Sequence, residues 1–220
     1  MFQSFQYPQL DFSNAILHVL KNEDALLLDV PCGDGATTFL LARHSRLSVK
    51  GYDLSEKSIS FASGHFRRRN LSYAAADIRD LFFIHPQFKY FCMINSLFML
   101  PSQAFILQKI YEGLLRGGKT FFIIPNIHGK NYVEFKKIHP EVNNMEMTVD
   151  ECTEYIESFG FTCCDKTPLC YANIYGRKEL RYFSVFAPFY LRLLSKWMSI
   201  LQIGSPSYFL LSFNKKETVM

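Results

Sequence analysis

The stretch Leu26-Leu27-Leu28-Asp29-Val30-Pro31-Cys32-Gly33-Asp34-Gly35-Ala36-Thr37-Thr38 constrains this chain more than any other. A run of leucines reads as a buried parallel strand, apolar on both faces. The strand ends in an acid, Gly33 and Gly35 make a tight turn, and Phe39, Leu40, Leu41 and Ala42 open an apolar helical face. Strand, glycine loop and helix N-terminus in that order begin a nucleotide-binding α/β half. A dinucleotide fold needs Gly-x-Gly-x-x-Gly, so that a pyrophosphate can rest on the helix N-terminus. Here Pro31, Gly33 and Gly35 alternate, and Thr38 stands where the third glycine would be. Asp29 would repel a pyrophosphate and attract a cation. Taken alone, the loop also fits a strand-to-helix turn with no ligand.

Two further strand ends repeat the theme. Leu47 to Tyr52 reads as the second strand and ends at Asp53, 24 residues after Asp29. That is one βαβ length, and an acid there can take two ribose hydroxyls bidentately. Ser55 caps a helix expected to run through Ile59, Phe61 and Ala62 to Arg67-Arg68-Arg69. The arginine run reads as a solvated helix end, with a nucleic-acid patch as the competing reading. Leu71 to Ala76 reads as the third strand and ends at Asp77-Ile78.

Together these motifs resemble class I S-adenosylmethionine-dependent methyltransferases. The first loop is similar to motif I of that family, acid-x-Gly-x-Gly-x-Gly, with Pro31 in place of the first glycine. Proline fixes φ near a turn value, so it reads as a tolerated variant. Gly51-Tyr52-Asp53-Leu54-Ser55 matches the Gly-x-Asp-x-Ser of motif II. The resemblance implies that Asp29 helps hold the methionyl amino end, directly or through water, and that Asp53 binds the ribose. It also implies that Asp77 accepts from the adenine amino group while the backbone N–H of Ile78 meets the ring. Asp77 as a plain helix cap is the alternative. Tyr7, Pro31, Cys32, Gly33, Gly35, Leu54, Asn95 and Ser96 complete the expected cofactor set, and S-adenosyl-L-methionine is the expected cofactor.

The rest of the chain follows the same resemblance. Phe88 to Asn95 reads as the fourth strand, with Lys89-Tyr90 where the family has a Phe-Asp pair. Asn95-Ser96-Leu97-Phe98-Met99-Leu100-Pro101 resembles the stretch after motif IV, with an apolar wall where many relatives carry histidines. A helix is expected over Gln103 to Leu115, a Gly117-Gly118 turn, and a fifth strand over Thr120 to Ile124. Thr148 and Glu151 stand in capping-box spacing at the start of a helix ending at Gly160. Phe161 to Cys164 and Ser207 to Phe213 are expected as the sixth strand and an antiparallel seventh. The fold class is therefore α/β: a doubly wound, mostly parallel seven-stranded sheet in a Rossmann-like methyltransferase domain.

The 220 residues suit a single domain, and a hydrophobic share of 49% argues against disorder. Residues 1–20 are expected as an N-terminal lid carrying Phe2, Phe5 and Tyr7, with a short helix from Asp11 to Leu20. Residues 166–206 form an aromatic and basic insertion where a hairpin loop would suffice. Three readings stay open for it: a lid that builds the acceptor pocket, an amphipathic patch over 180–203 on a membrane surface, and a dimer face. The six cysteines show no Cys-x-x-Cys pair, so no zinc site is expected. They read as reduced and mostly buried, in a cytoplasmic protein with a possible position at the inner face of a membrane. No secretory leader or membrane span is evident in the sequence.

The chemistry expected from the resemblance is methyl transfer to a small molecule or glycan, a lipid-linked acceptor included, and most simply to a hydroxyl. His128, just past the fifth strand, is the first candidate for the base, followed by His139 and Tyr132. No Asn-Pro-Pro-Tyr of the amide and nucleobase N-methylators is present. A non-catalytic partner or regulatory subunit of the same fold is the alternative. An RNA methyltransferase is a weaker one, because a net charge of +4 supports nucleic-acid binding only faintly.

Overall fold

The computed structural model describes residues 7–20, 23–84, 87–138, 146–170, 190, 193–194, 196–198 and 205–216. Phe2, Phe5, His139 and most of the segment 171–204 lie outside the described residues, and so do the readings placed on them.

Seven strands form one sheet: β1 (Leu26–Asp29), β2 (Ser48–Asp53), β3 (Leu71–Ala75), β4 (Phe88–Ile94), β5 (Leu114–Pro125), β6 (Phe161–Leu169) and β7 (Tyr208–Lys215). Their order is β3-β2-β1-β4-β5-β7-β6. The first five pair in parallel, and β7 runs antiparallel to both β5 and β6. The order reverses between β1 and β4, which opens a crevice at the carboxyl ends of β1 and its neighbours, the usual place for a ligand in such sheets.

Successive residues of a strand face opposite sides, and the two cores follow that rule. On one face Leu28, Phe91, Phe122, Leu211 and Phe213 pack with Ile106, Leu107 and Ile110 of α5 (Gln103–Gly113) and with Cys152 and Ile156 of α7 (Val149–Glu157). On the other, Leu27, Tyr90, Phe121, Ile123 and Leu210 pack with Phe12 and Ile16 of α1 (Tyr7–Val19) and with Leu41 and Ala42 of α2 (Ala36–Arg43). Further helices are α3 (Glu56–His65), which packs on β2 and β3, α4 (Ile78–Ile84), which packs on α5, and α6 (Lys130–Ile138). Among the described residues no helix is long and apolar enough to cross a membrane.

Several boundaries differ from the expectations, each for a local reason. The first helix begins at Tyr7 instead of Asp11. Pro8 stands in its first turn, where a missing N–H costs no helical hydrogen bond. The third helix stops at His65 and not at Arg69, with Phe66 extended, although Arg67 Nε still donates to the carbonyl of Ser63 at 3.1 Å. The Gly117-Gly118 pair does not separate helix from strand. It sits inside β5, where Gly117 adopts φ 67° and the register with β4 shifts between Phe88 and Tyr90. Leu114 and Leu115 accordingly belong to the strand. The sixth strand continues to Leu169, so residues 166–169 are sheet, not insertion. Asp165, Lys166 and Pro168 read as breakers, yet an edge strand tolerates charges and proline because one side of its backbone needs no partner.

Candidate active site

The three strand-end acids do three different things. Asp29 is 1% exposed and lies beneath the loop, not on the cleft wall. Its Oδ2 accepts from Thr38 Oγ1 at 2.6 Å, and its Oδ1 has no hydrogen-bond partner among the described residues. Burial pushes its carboxyl up to about 7, opposed by the Thr38 hydrogen bond and assisted by the charge of Asp53.

Asp53 faces the cleft and ties the loop to the second strand. Its Oδ2 accepts from the backbone N–H of Gly33 at 2.8 Å and its Oδ1 from that of Ser55 at 2.9 Å. A carboxylate offers about four acceptor sites, so each oxygen keeps one. Asp77, after β3, accepts three hydrogen bonds, all from Arg79. Its Oδ1 takes the backbone N–H and Nε at 2.9 Å each, and its Oδ2 takes Nη2 at 2.6 Å. The hydrogen bonds from Arg79 hold its carboxyl down at about 2. The capping alternative for Asp77 is thus realised at the start of α4, and a guanidinium joins it.

The glycine loop is fixed from below. Gly33 has φ 54° and a side chain there would point into open space, which leaves its backbone approachable. Gly35 has φ 79°, and a Cβ there would meet Ala62 Cβ at 2.7 Å and Tyr73 Cε1 at 2.8 Å. The Tyr73 hydroxyl donates to the carbonyl of Gly35 at 2.9 Å. Cys32 is 9% exposed, and burial with Asp29 and Asp53 nearby drives its thiol well above the ordinary range. It serves packing here, with no nucleophilic character.

The cleft is lined by Val30, Pro31, Asp53, Leu54, Asp77 and Ile78 on one side of the strand ends, with Ala76, Arg79, Leu100 and Pro101 completing it. It is an open cleft of about 580 Å³, solvent-open space included. Leu54 is 73% exposed, a large apolar side chain left standing at the mouth. Asn95 ends the fourth strand with φ 54°, and Ser96 donates to the carbonyl of Ile94 at 2.9 Å. Neither lines this cleft. Tyr7 begins α1.

The base candidates sit elsewhere on the same edge. His128 is exposed in the turn after β5, its backbone N–H bonded to Asn126 Oδ1 at 3.2 Å. Tyr132 is buried in α6 and its hydroxyl donates to Glu146 Oε1 at 3.2 Å. Burial pushes its phenol up to about 12, so it stays protonated at neutral pH. Sequence reasoning passed over Arg79 and Tyr73. The Asp-x-Arg spacing could have pointed to the first, but a tyrosine inside a strand carries no signal of a strut under a loop.

The sheet order and the strand-end acids around a glycine loop define a class I, Rossmann-like methyltransferase fold. Residues 27–118 match the family model described as a methyltransferase domain. Among solved structures, the complex of the Trm112 methyltransferase activator with a methyltransferase from Haloferax volcanii contains a similar chain. The identity is 14%, the TM-score is 0.70, and 94% of this chain and 89% of that one are covered. An S-adenosylmethionine-dependent methyltransferase from Mesorhizobium loti is 17% identical with a TM-score of 0.64, covering 90% of this chain and 95% of that one. A phosphoethanolamine N-methyltransferase from Haemonchus contortus, solved with S-adenosyl-L-methionine, is 20% identical with a TM-score of 0.67. It is covered over 93% of this chain but only 52% of its own length. At such identities the likeness carries the fold. No curated protein matches the sequence.

Proposed function

We propose that the chain transfers a methyl group from S-adenosylmethionine to a hydroxyl of a small molecule or glycan. The observation that carries the cofactor part of this reading is the Asp53 carboxylate. It keeps one acceptor site on each oxygen, beside the approachable backbone of Gly33. That valence suits a vicinal diol such as a ribose. Leu54 and Ile78 offer apolar surface to the base, and Asp77 offers an acceptor to its amino group. Asp29, buried under the loop, would act on the methionyl end through Thr38 and the loop backbone, with Asn95 and Ser96 at the far side. S-adenosylmethionine supplies an activated methyl on a sulfonium. Holding the acceptor in line with that methyl then provides much of the rate.

A hydroxyl acceptor must lose a proton, and we assign that proton to His128. Its exposed place after β5 supports the assignment. Tyr132, whose hydroxyl proton goes to Glu146 Oε1, contributes a wall.

Calorimetry with S-adenosylmethionine tests the reading, with NADH as control. The folded protein is expected to bind S-adenosylmethionine and ignore NADH, with at least a tenfold loss in Asp53→Ala, which removes charge-assisted acceptors. His128→Ala is expected to bind normally and to lose labelled methyl transfer onto a panel of hydroxylated small molecules and glycans, by 10²-fold or more on the usual scale of acid–base catalysis. A folded protein that binds no S-adenosylmethionine would overturn the reading.

A further inference from the structure

Arg79 lines the cleft together with Asp77, and it takes three of that carboxylate's four acceptor sites. Asp77 is therefore left with one free acceptor site, on Oδ2, whereas Asp53 keeps two. The difference has a chemical meaning. A carboxylate with two free sites can take a diol, while a carboxylate with one can take a single N–H. The guanidinium also fixes the plane of the carboxylate, because a planar fork meets both oxygens at once, which an ammonium cannot do.

We infer that Arg79 is a positioning residue that sets base specificity in the cleft: by saturating Asp77 on all but one site, it makes the cleft read a 6-amino purine and reject a 6-oxo purine. The inference rests on the cofactor reading proposed above. A 6-amino group points an N–H at the remaining Oδ2 site. A 6-oxo group points an oxygen there and meets a like-signed acceptor. Without the Arg79 side chain the carboxylate keeps only the backbone N–H on Oδ1, exposes two further acceptor sites, and can turn to the N1–H of a 6-oxo base instead. The contact itself is solvent-exposed, with Arg79 58% and Asp77 24% exposed, so its contribution to folding is small and variants should fold.

The test compares binding of S-adenosylhomocysteine and S-inosylhomocysteine, by calorimetry, to the wild type, Arg79→Gln and Arg79→Lys. The wild type is expected to prefer the adenosyl ligand by at least about tenfold, the scale of one well-placed hydrogen bond to a charged group. In Arg79→Gln, adenosyl affinity is expected to drop while inosyl affinity rises as the released carboxylate turns to its N1–H, so that the preference falls to about twofold or less. Arg79→Lys keeps the charge without the fork and should resemble the glutamine variant. An equal loss for both ligands would reduce Arg79 to a structural prop, and no loss for either would make it a bystander. Each result overturns the inference. Failure of the wild type to bind S-adenosylhomocysteine would instead sink the cofactor reading itself.

Discussion

At the scale of the residue, the carboxylate that departs furthest from its ordinary chemistry, among the described residues, is Asp29. A carboxyl raised from 3.8 to about 7 binds a proton in the folded protein that the unfolded chain has already lost. Between those values the folded state holds more protons, so this group's contribution to stability falls as pH rises, by up to about 1.4 kcal/mol per pH unit. The relief is complete below the unfolded value and absent above the folded one. Thermal melts from pH 4.5 to 8 are expected to show Tm falling more steeply towards pH 8 in the wild type than in Asp29→Asn. Coincident profiles would show that Asp29 does not titrate in that window. The three acids were legible from the sequence because each ends an apolar run at a βαβ spacing. Their separate environments were not. Burial of Asp29 under the loop and saturation of Asp77 by Arg79 depend on how the strands stack side by side, which spacing along the chain does not encode.

At the scale of the element, the helices whose ends carry their own chemistry were read most closely. The capping box of α7 is present, with the Thr148 side chain accepting from Glu151 N at 3.3 Å and Glu151 Oε2 accepting from Thr148 N at 2.8 Å. Thr148→Ala removes the cap and should destabilise the protein by about 1 kcal/mol, the typical cost of an N-cap lost to alanine. Urea unfolding would measure this as a lowered midpoint with an unchanged slope, and an unchanged midpoint would mean that α7 is held by packing alone. Strand limits were harder. Gly117-Gly118 signals a turn locally, but pairing with β4 and β7 captures it as an irregularity within β5. The same capture extends β6 through Pro168, which pairs with Phe209. Long-range ladder bonds outweigh local propensity in both places.

At the scale of the whole molecule, stability is graded across the sheet. β1, β4 and β5 are flanked on both sides by other strands and covered on both faces, whereas β3 and β6 are edges with exposed residues along their length. Amide hydrogen exchange is expected to be slowest in Leu27–Leu28, Phe91–Met93 and Phe121–Ile123, and faster along both edges. Uniform exchange across the sheet would contradict this gradient. The hydrogen bond from Gly33 to Asp53 and the strut from Tyr73 to Gly35 tie the glycine loop to β2 and β3. They mean that the floor of the cleft is assembled before anything binds, so a nucleoside arriving there has little to order and loses little entropy. Under the proposed reading, every one of those floor contacts falls on parts of the cofactor that methyl transfer leaves unchanged. The spent cofactor would then cling as well as the fresh one, and turnover would depend on how quickly something else clears it away.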